Sequence, residues 1–188
     1  MKNSKWLELK GVKTTNFTLE NIDPRGVRQL YLGDANITDE GLLYIQKFTE
    51  LAALNLVYTK ITDAGLIYLQ EMKQLQYLVL GYTNVTDNGL TYQGLINLKI
   101  LSLGFTKITD AGMTYLEKLS KLENLDISDT LISDNGLSSI KRLENLQRIY
   151  LENTSITDNG LRGLIKKIPS CQIIIKTLAD GKQIYWER

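Results

Sequence analysis

At 188 residues, with 22 Lys and Arg against 21 Asp and Glu, the chain has the length of one domain and almost no net charge. That excludes the broad basic field with which proteins hold nucleic acid or an anionic membrane. It has no histidine, which excludes a His-based triad, a His general base and a His metal site.

In chain order, the first 26 residues carry Trp6-Leu7-Glu8-Leu9 and then Phe17, Leu19 and Ile22, and are expected to form an N-terminal cap made of a degenerate strand and turn. From Val27 to about residue 168 one pattern returns: Leu-x-x-Leu-x-Leu-x-x-Thr-x-Ile-Thr-Asp-x-Gly-Leu. Its units open at Val27, Leu51, Leu75, Leu98, Leu122 and Leu146, spaced 24, 24, 23, 24 and 24 residues. A period of this length marks a stacked repeat array.

Each unit changes periodicity halfway. Leu54-Asn55-Leu56 and Leu78-Val79-Leu80 alternate, which predicts a short strand. Leu66, Leu69 and Met72 recur every three residues, which predicts a short helix. At the junction stand Thr-Asp pairs, once Ser-Asp, at 38–39, 62–63, 86–87, 109–110, 133–134 and 157–158. They are expected to cap the helix starts, the carboxylate also suiting the positive end of the helix dipole. Gly41, Gly65, Gly89, Gly112, Gly136 and Gly160 fall inside the first helical turn, where glycine costs about 1 kcal/mol against alanine; a missing Cβ that lets adjacent repeats approach is the expected reason. The 23-residue third unit has lost a position in its helical half, predicting a shortened or distorted helix there. After Pro169, residues 173–186 read as two strands around Asp180-Gly181, a C-terminal hairpin cap over 169–188.

Because side chains alternate across a strand, positions 3, 5, 7 and 8 of each unit are expected to stand in columns on one face. In the middle units these columns gather Val57, Tyr58, Tyr77, Val79, Tyr82, Ile100 and Phe105, an aromatic and aliphatic patch that the core does not require. Tyr31 extends it on one side, and Asp126, Asp129, Arg148 and Tyr150 on the other. Exposed aromatic patches mark interfaces, and Tyr dominates binding energy there. The competing expectation is that these rings pack along the sheet with no partner. Acidic Glu123, Asp126, Asp129 and Glu152 flank the aromatics and favour a basic patch on whatever binds.

The unit Leu51-x-x-Leu54-x-Leu56-x-x-Thr59-x-Ile61-Thr62-Asp63-x-Gly65-Leu66 resembles a leucine-rich repeat, and its Ile-Thr-Asp-x-Gly-Leu half resembles repeats of F-box–leucine-rich-repeat proteins and of bacterial effectors of the GALA type. The resemblance implies an α/β solenoid, a curved horseshoe with a parallel β-sheet on its concave face and short helices on its convex face. It also implies a protein that grips another protein on the concave face, as an effector or an inhibitor acting by occlusion. The alternative it implies is the substrate-recognition subunit of a ubiquitin-ligase assembly, against which only 26 residues precede the repeats. The Asn usual at the ninth repeat position is here Thr59, Thr83, Thr106, Thr130 and Thr154, with Ala35 in the first unit, so a less extensive side-chain ladder is expected.

No catalytic constellation is expected. Cys171, the only cysteine, excludes an internal disulfide framework, lacks a histidine to activate it, and predicts a reducing, cytoplasmic address. No apolar run at the start predicts a signal peptide, and none reaches the ~20 residues of a bilayer span. The column Asp39, Asp63, Asp87, Asp110, Asp134 and Asp158 is expected to serve helix starts and not calcium. No cofactor, metal or small-molecule substrate is expected, and the free chain is expected to be a monomer.

Overall fold

The computed structural model describes residues 5–91, 94–177 and 183–185. A strand-then-helix unit recurs along the chain. The strands are β1 (Lys5–Glu8), β2 (Val27–Tyr31), β3 (Ala53–Asn55), β4 (Tyr77–Val79), β5 (Ile100–Ser102), β6 (Asn124–Asp126), β7 (Arg148–Tyr150), β8 (Gln172–Thr177) and β9 (Gln183–Tyr185). They form one open sheet in sequence order. Every neighbouring pair from β1 to β8 is parallel, and β9 returns antiparallel on β8.

The register keeps equivalent positions in line: Gln29, Ala53, Tyr77, Ile100, Asn124 and Arg148 are successive partners. The middle residue of each short strand, Leu54, Leu78, Leu101, Leu125 and Ile149, points the other way and is buried. Neighbouring repeats share one continuous core, to which each contributes its strand leucines, its Ile or Val before the Thr-Asp pair, and its helical leucines. A single unit would leave that apolar face open, so stacking supplies the stability.

The helical halves are α1 (Asn16–Glu20), α2 (Asp39–Ile45), α3 (Asp63–Leu66), α4 (Asp110–Leu116), α5 (Asp134–Leu137) and α6 (Asp158–Lys167). α3 and α5 tighten into 3-10 turns after one turn. Among the described residues the helical half of the third unit is a 3-10 helix, Asp87–Thr91, in keeping with the distortion expected from its missing residue. β1 and α1 make the N-terminal segment a strand-and-helix unit like the others, more regular than a strand and turn. At the other end β8 and β9 are the two strands of the hairpin; its Asp180-Gly181 turn lies outside the described residues.

The Thr-Asp-x-Gly motif works between repeats, which corrects the expectation that the carboxylate serves its own helix start. Asp39 accepts from the backbone N–H of Thr62 (2.8 Å) and from its hydroxyl (2.6 Å). Asp63 does the same for Thr86, Asp87 for Thr109, Asp110 for Ser133 and Asp134 for Thr157. It is the Thr or Ser oxygen that caps its own helix, accepting from the N–H of Ala64, Asn88, Ala111, Asn135 and Gly160. The glycine makes room for the preceding repeat's carboxylate: a Cβ on Gly89 would lie 2.6 Å from Asp63 Oδ1, and one on Gly136 2.5 Å from Asp110 Oδ1. In the N-terminal segment Asn16 takes the part of the aspartate, bonding Thr38 through both its oxygen and its nitrogen.

The ninth-position threonines, buried except for half-buried Thr154, bond within their own repeat. Thr59 donates to the carbonyl of Leu56 (2.6 Å), and Thr83, Thr106, Thr130 and Thr154 repeat the contact. The ladder running along the solenoid is therefore carried by the aspartates.

Candidate protein-binding face

The strands end at the fifth repeat position, so the expected single surface is two surfaces. Positions 3 and 5 lie on the strands and form a floor. Tyr31, Tyr77, Val79 and Ile100 line one open groove there with Gln29, Ala53 and Asn55. Farther along the same floor stand Asp126, Arg148 and Tyr150. Positions 7 and 8 lie beyond the strands, which corrects the expectation that Val57, Tyr58, Tyr82, Phe105 and Asp129 stand in columns with them. Val57 is half-buried beside the backbone of Gly33 and Gly81.

Position 8 forms a rim, and its backbone is unusual. Asp34, Tyr58, Tyr82, Phe105, Asp129 and Asn153 all have φ between 53° and 60°. The left-handed region costs most non-glycine residues of the order of 1 kcal/mol, and Asn and Asp tolerate it best. Asp34, Asp129 and Asn153 follow that preference; Tyr58, Tyr82 and Phe105 do not. From Asp34 to Asp129 the N–H of each rim residue donates to the seventh-position carbonyl of the next repeat, as in Tyr58 to Gly81 (3.1 Å) and Phe105 to Ser128 (2.9 Å). Before the turn, Asn55 and Asp126 accept from the N–H two residues on, the Asx arrangement that starts such a bend.

The three rim aromatics stack. The Tyr58 and Tyr82 ring centroids are 4.0 Å apart at 22°, and those of Tyr82 and Phe105 3.9 Å apart at 15°. Strands in a sheet are about 4.8 Å apart, so the rings lean together across that spacing. Stacking leaves them well exposed, at 51% for Tyr58, 39% for Tyr82 and 45% for Phe105. Desolvation within the stack, the hydrogen bond with Tyr58 and the charges of Asp129 and Asp126 push the Tyr82 hydroxyl up to about 12, so it stays protonated at neutral pH. The stack shows its ring edges and hydroxyls to solvent, an amphipathic contact surface of low rotamer entropy.

The strand pairing adds a residue to the floor that the repeat pattern missed. Trp6 is in register with Gln29, and it is 60% exposed. It shares a shallow groove with Glu8, Lys10, Gln29 and Tyr31. The 23-residue step from Trp6 to Gln29 was the available signal, hidden because the segment lacks the Leu-x-x-Leu-x-Leu frame.

The acidic column and the cysteine also bear on chemistry among the described residues. Five of the motif aspartates, Asp39 to Asp134, are occupied with the inter-repeat bonds, and no group of three His, Cys, Asp or Glu side chains is placed to hold a metal ion. Cys171 is buried, and burial pushes its thiol up to about 12, far from a nucleophilic thiolate. No helix there is long and apolar enough to cross a membrane.

Comparison with known proteins gives the same architecture. A family described as Leucine Rich repeat matches residues 27–45, 51–69, 94–116 and 118–141. The 23-residue third unit is not matched before residue 94, in keeping with its altered helix. No curated protein matches the chain. Among solved structures, internalin C2 (inlC2) of Listeria monocytogenes is 29% identical with a TM-score of 0.63, covering 85% of this chain and 76% of its own. An internalin, inlF, of the same organism is 24% identical with a TM-score of 0.63 over 79% of this chain; the chain spans 41% of its length.

Proposed function

We propose that this chain, a leucine-rich-repeat protein, seats a partner protein on its concave strand face and the adjoining rim, so that it works by covering or holding a surface and not by chemistry. The observation that carries the reading is the rim stack. Three successive repeats put Tyr58, Tyr82 and Phe105 in left-handed backbone, where Asn or Asp stands in the other three, and leave the rings in solvent. Strained positions that the core does not require are concentrated at functional sites. The floor beside the stack is apolar through Tyr77, Val79 and Ile100, giving a contact area wider than the rings alone. The rings do pack on one another, as the competing expectation held, but that packing rigidifies a binding surface rather than removing it.

The reading is tested by affinity capture from native lysate with the wild type beside a Tyr58→Ala/Tyr82→Ala/Phe105→Ala variant whose folding is checked by circular dichroism. The expected result is a partner held by the wild type and lost by the folded variant. Equal capture by both would move the site to the helical side or the ends of the solenoid.

A further inference from the structure

We infer that the partner's bound segment is apolar toward the middle repeats and carries an arginine or lysine toward the fourth and fifth, so that charge fixes its direction along the groove; this rests on the concave-face reading above. The floor over the middle repeats is lined by no charged side chain, with Asp34 standing on the rim of the first repeat. Around Tyr77, Val79 and Ile100 the groove is lined by Ala53, Asn55, Gln29 and Tyr31, with no Asp, Glu, Lys or Arg among them. The change comes at β6. Asp126 ends that strand on the floor, and Asp129 follows on the rim, next in column to Phe105 and lining the same groove as the three stacked rings.

Hydrogen bonds place these two carboxylates without neutralising them. Asp126 accepts from the Ser102 hydroxyl (2.8 Å) and the Ser128 N–H (3.1 Å), and Asp129 accepts from the Asn153 amide (2.9 Å). Of the local cations, Lys99 pairs with Glu123 at 2.9 Å and Arg148 on the adjoining strand donates to Gln172 at 3.2 Å, while Lys107 lines the groove with Asp129 but forms no ion pair with it among the described residues. Among the described residues no ion pair involves Asp126 or Asp129. Two neighbouring negative charges at the end of an apolar trough repel each other until a cation arrives, and Phe105 beside them offers an aromatic surface to the same cation. A guanidinium suits this setting best, because its planar fork can meet carboxylates while its plane lies against a ring. An acidic or purely apolar segment would leave the aspartates facing like charge or desolvated and unpaired.

The test is selection of random 12-residue peptides displayed on phage against the full chain, followed by binding measurements on synthesised winners. The winners are expected to combine Arg or Lys with a neighbouring run of apolar residues, to compete with one another, and to weaken at least about tenfold with Asp126→Asn/Asp129→Asn. Their binding to the wild type should fall with added salt far more steeply than binding to that variant, as loss of an ion pair requires. Winners that depend on Tyr58, Tyr82 and Phe105 but show no basic enrichment and ignore the double Asn variant would overturn the charge inference and leave the concave-face reading standing. Winners indifferent to the aromatic triple variant, or no winners at all, would overturn both.

Discussion

A single Cβ can separate two repeats of this molecule. Gly136 packs where alanine would bring its methyl carbon 2.5 Å from Asp110 Oδ1, so Gly136→Ala should destabilise by about 1–3 kcal/mol in urea unfolding despite the gain in helix propensity. Gly163 is the control. It lies inside α6 with nothing within 4 Å of its Cβ position, and Gly163→Ala should stabilise by roughly 0.4–1 kcal/mol. Equal effects at the two sites would contradict the inter-repeat account. The carboxylates carry a pH signature as well. The Thr157 hydroxyl, and then its N–H, hold Asp134 below the ordinary 3.8. A group with a lowered folded-state value adds stability above 3.8 and loses it as pH falls through the lower value. Unfolding midpoints followed from pH 5 to pH 2 should therefore decline in the wild type and decline less in Asp134→Asn. At the rim, Phe105→Asn removes one stacked pair worth about 0.5–1.5 kcal/mol but relieves a left-handed phenylalanine, so its stability should stay within about 1 kcal/mol of wild type. A large loss would mean the rings are there for stability.

The elements show how far the sequence could be read. The strands and the helical halves were legible because leucine spacing reports burial directly, as with buried Leu54 and Leu56 on either side of half-buried Asn55. The direction of the Thr-Asp hydrogen bonds was not. A Thr-Asp pair before a helix reads as a local cap, and only the stacking of Asp39 against Thr62 shows that the bond leaves the repeat. Nor was the end of each strand legible: alternation alone would turn Tyr58 to the core side with Leu54 and Leu56, yet Asn55 accepts from the Val57 N–H and Tyr58 turns left-handed into solvent. The third unit remains the weakest link, since a 3-10 helix has poorer hydrogen bonds than an α-helix. Amide exchange over Asp87–Thr91 should be faster than over Asp110–Leu116 in the next repeat, and equal protection would contradict that reading.

For the whole molecule, the aspartate ladder, the shared leucine core and the continuous sheet all tie repeat to repeat, so the solenoid is a stiff support. A stiff support can hold strained, exposed aromatics in place before a partner arrives, which lowers the entropy lost on binding. The aromatic rim and the apolar floor run over the same middle repeats, so one partner can touch both. The most direct measurement of this claim is hydroxyl-radical footprinting of the chain free and with its captured partner bound. It compares Tyr58, Tyr77, Tyr82 and Phe105 with Leu43 and Tyr115, which are exposed on the helical side. The account predicts that oxidation of the first four falls on binding while Leu43 and Tyr115 react as before. Protection of Leu43 and Tyr115 with the rim rings still fully reactive would contradict it.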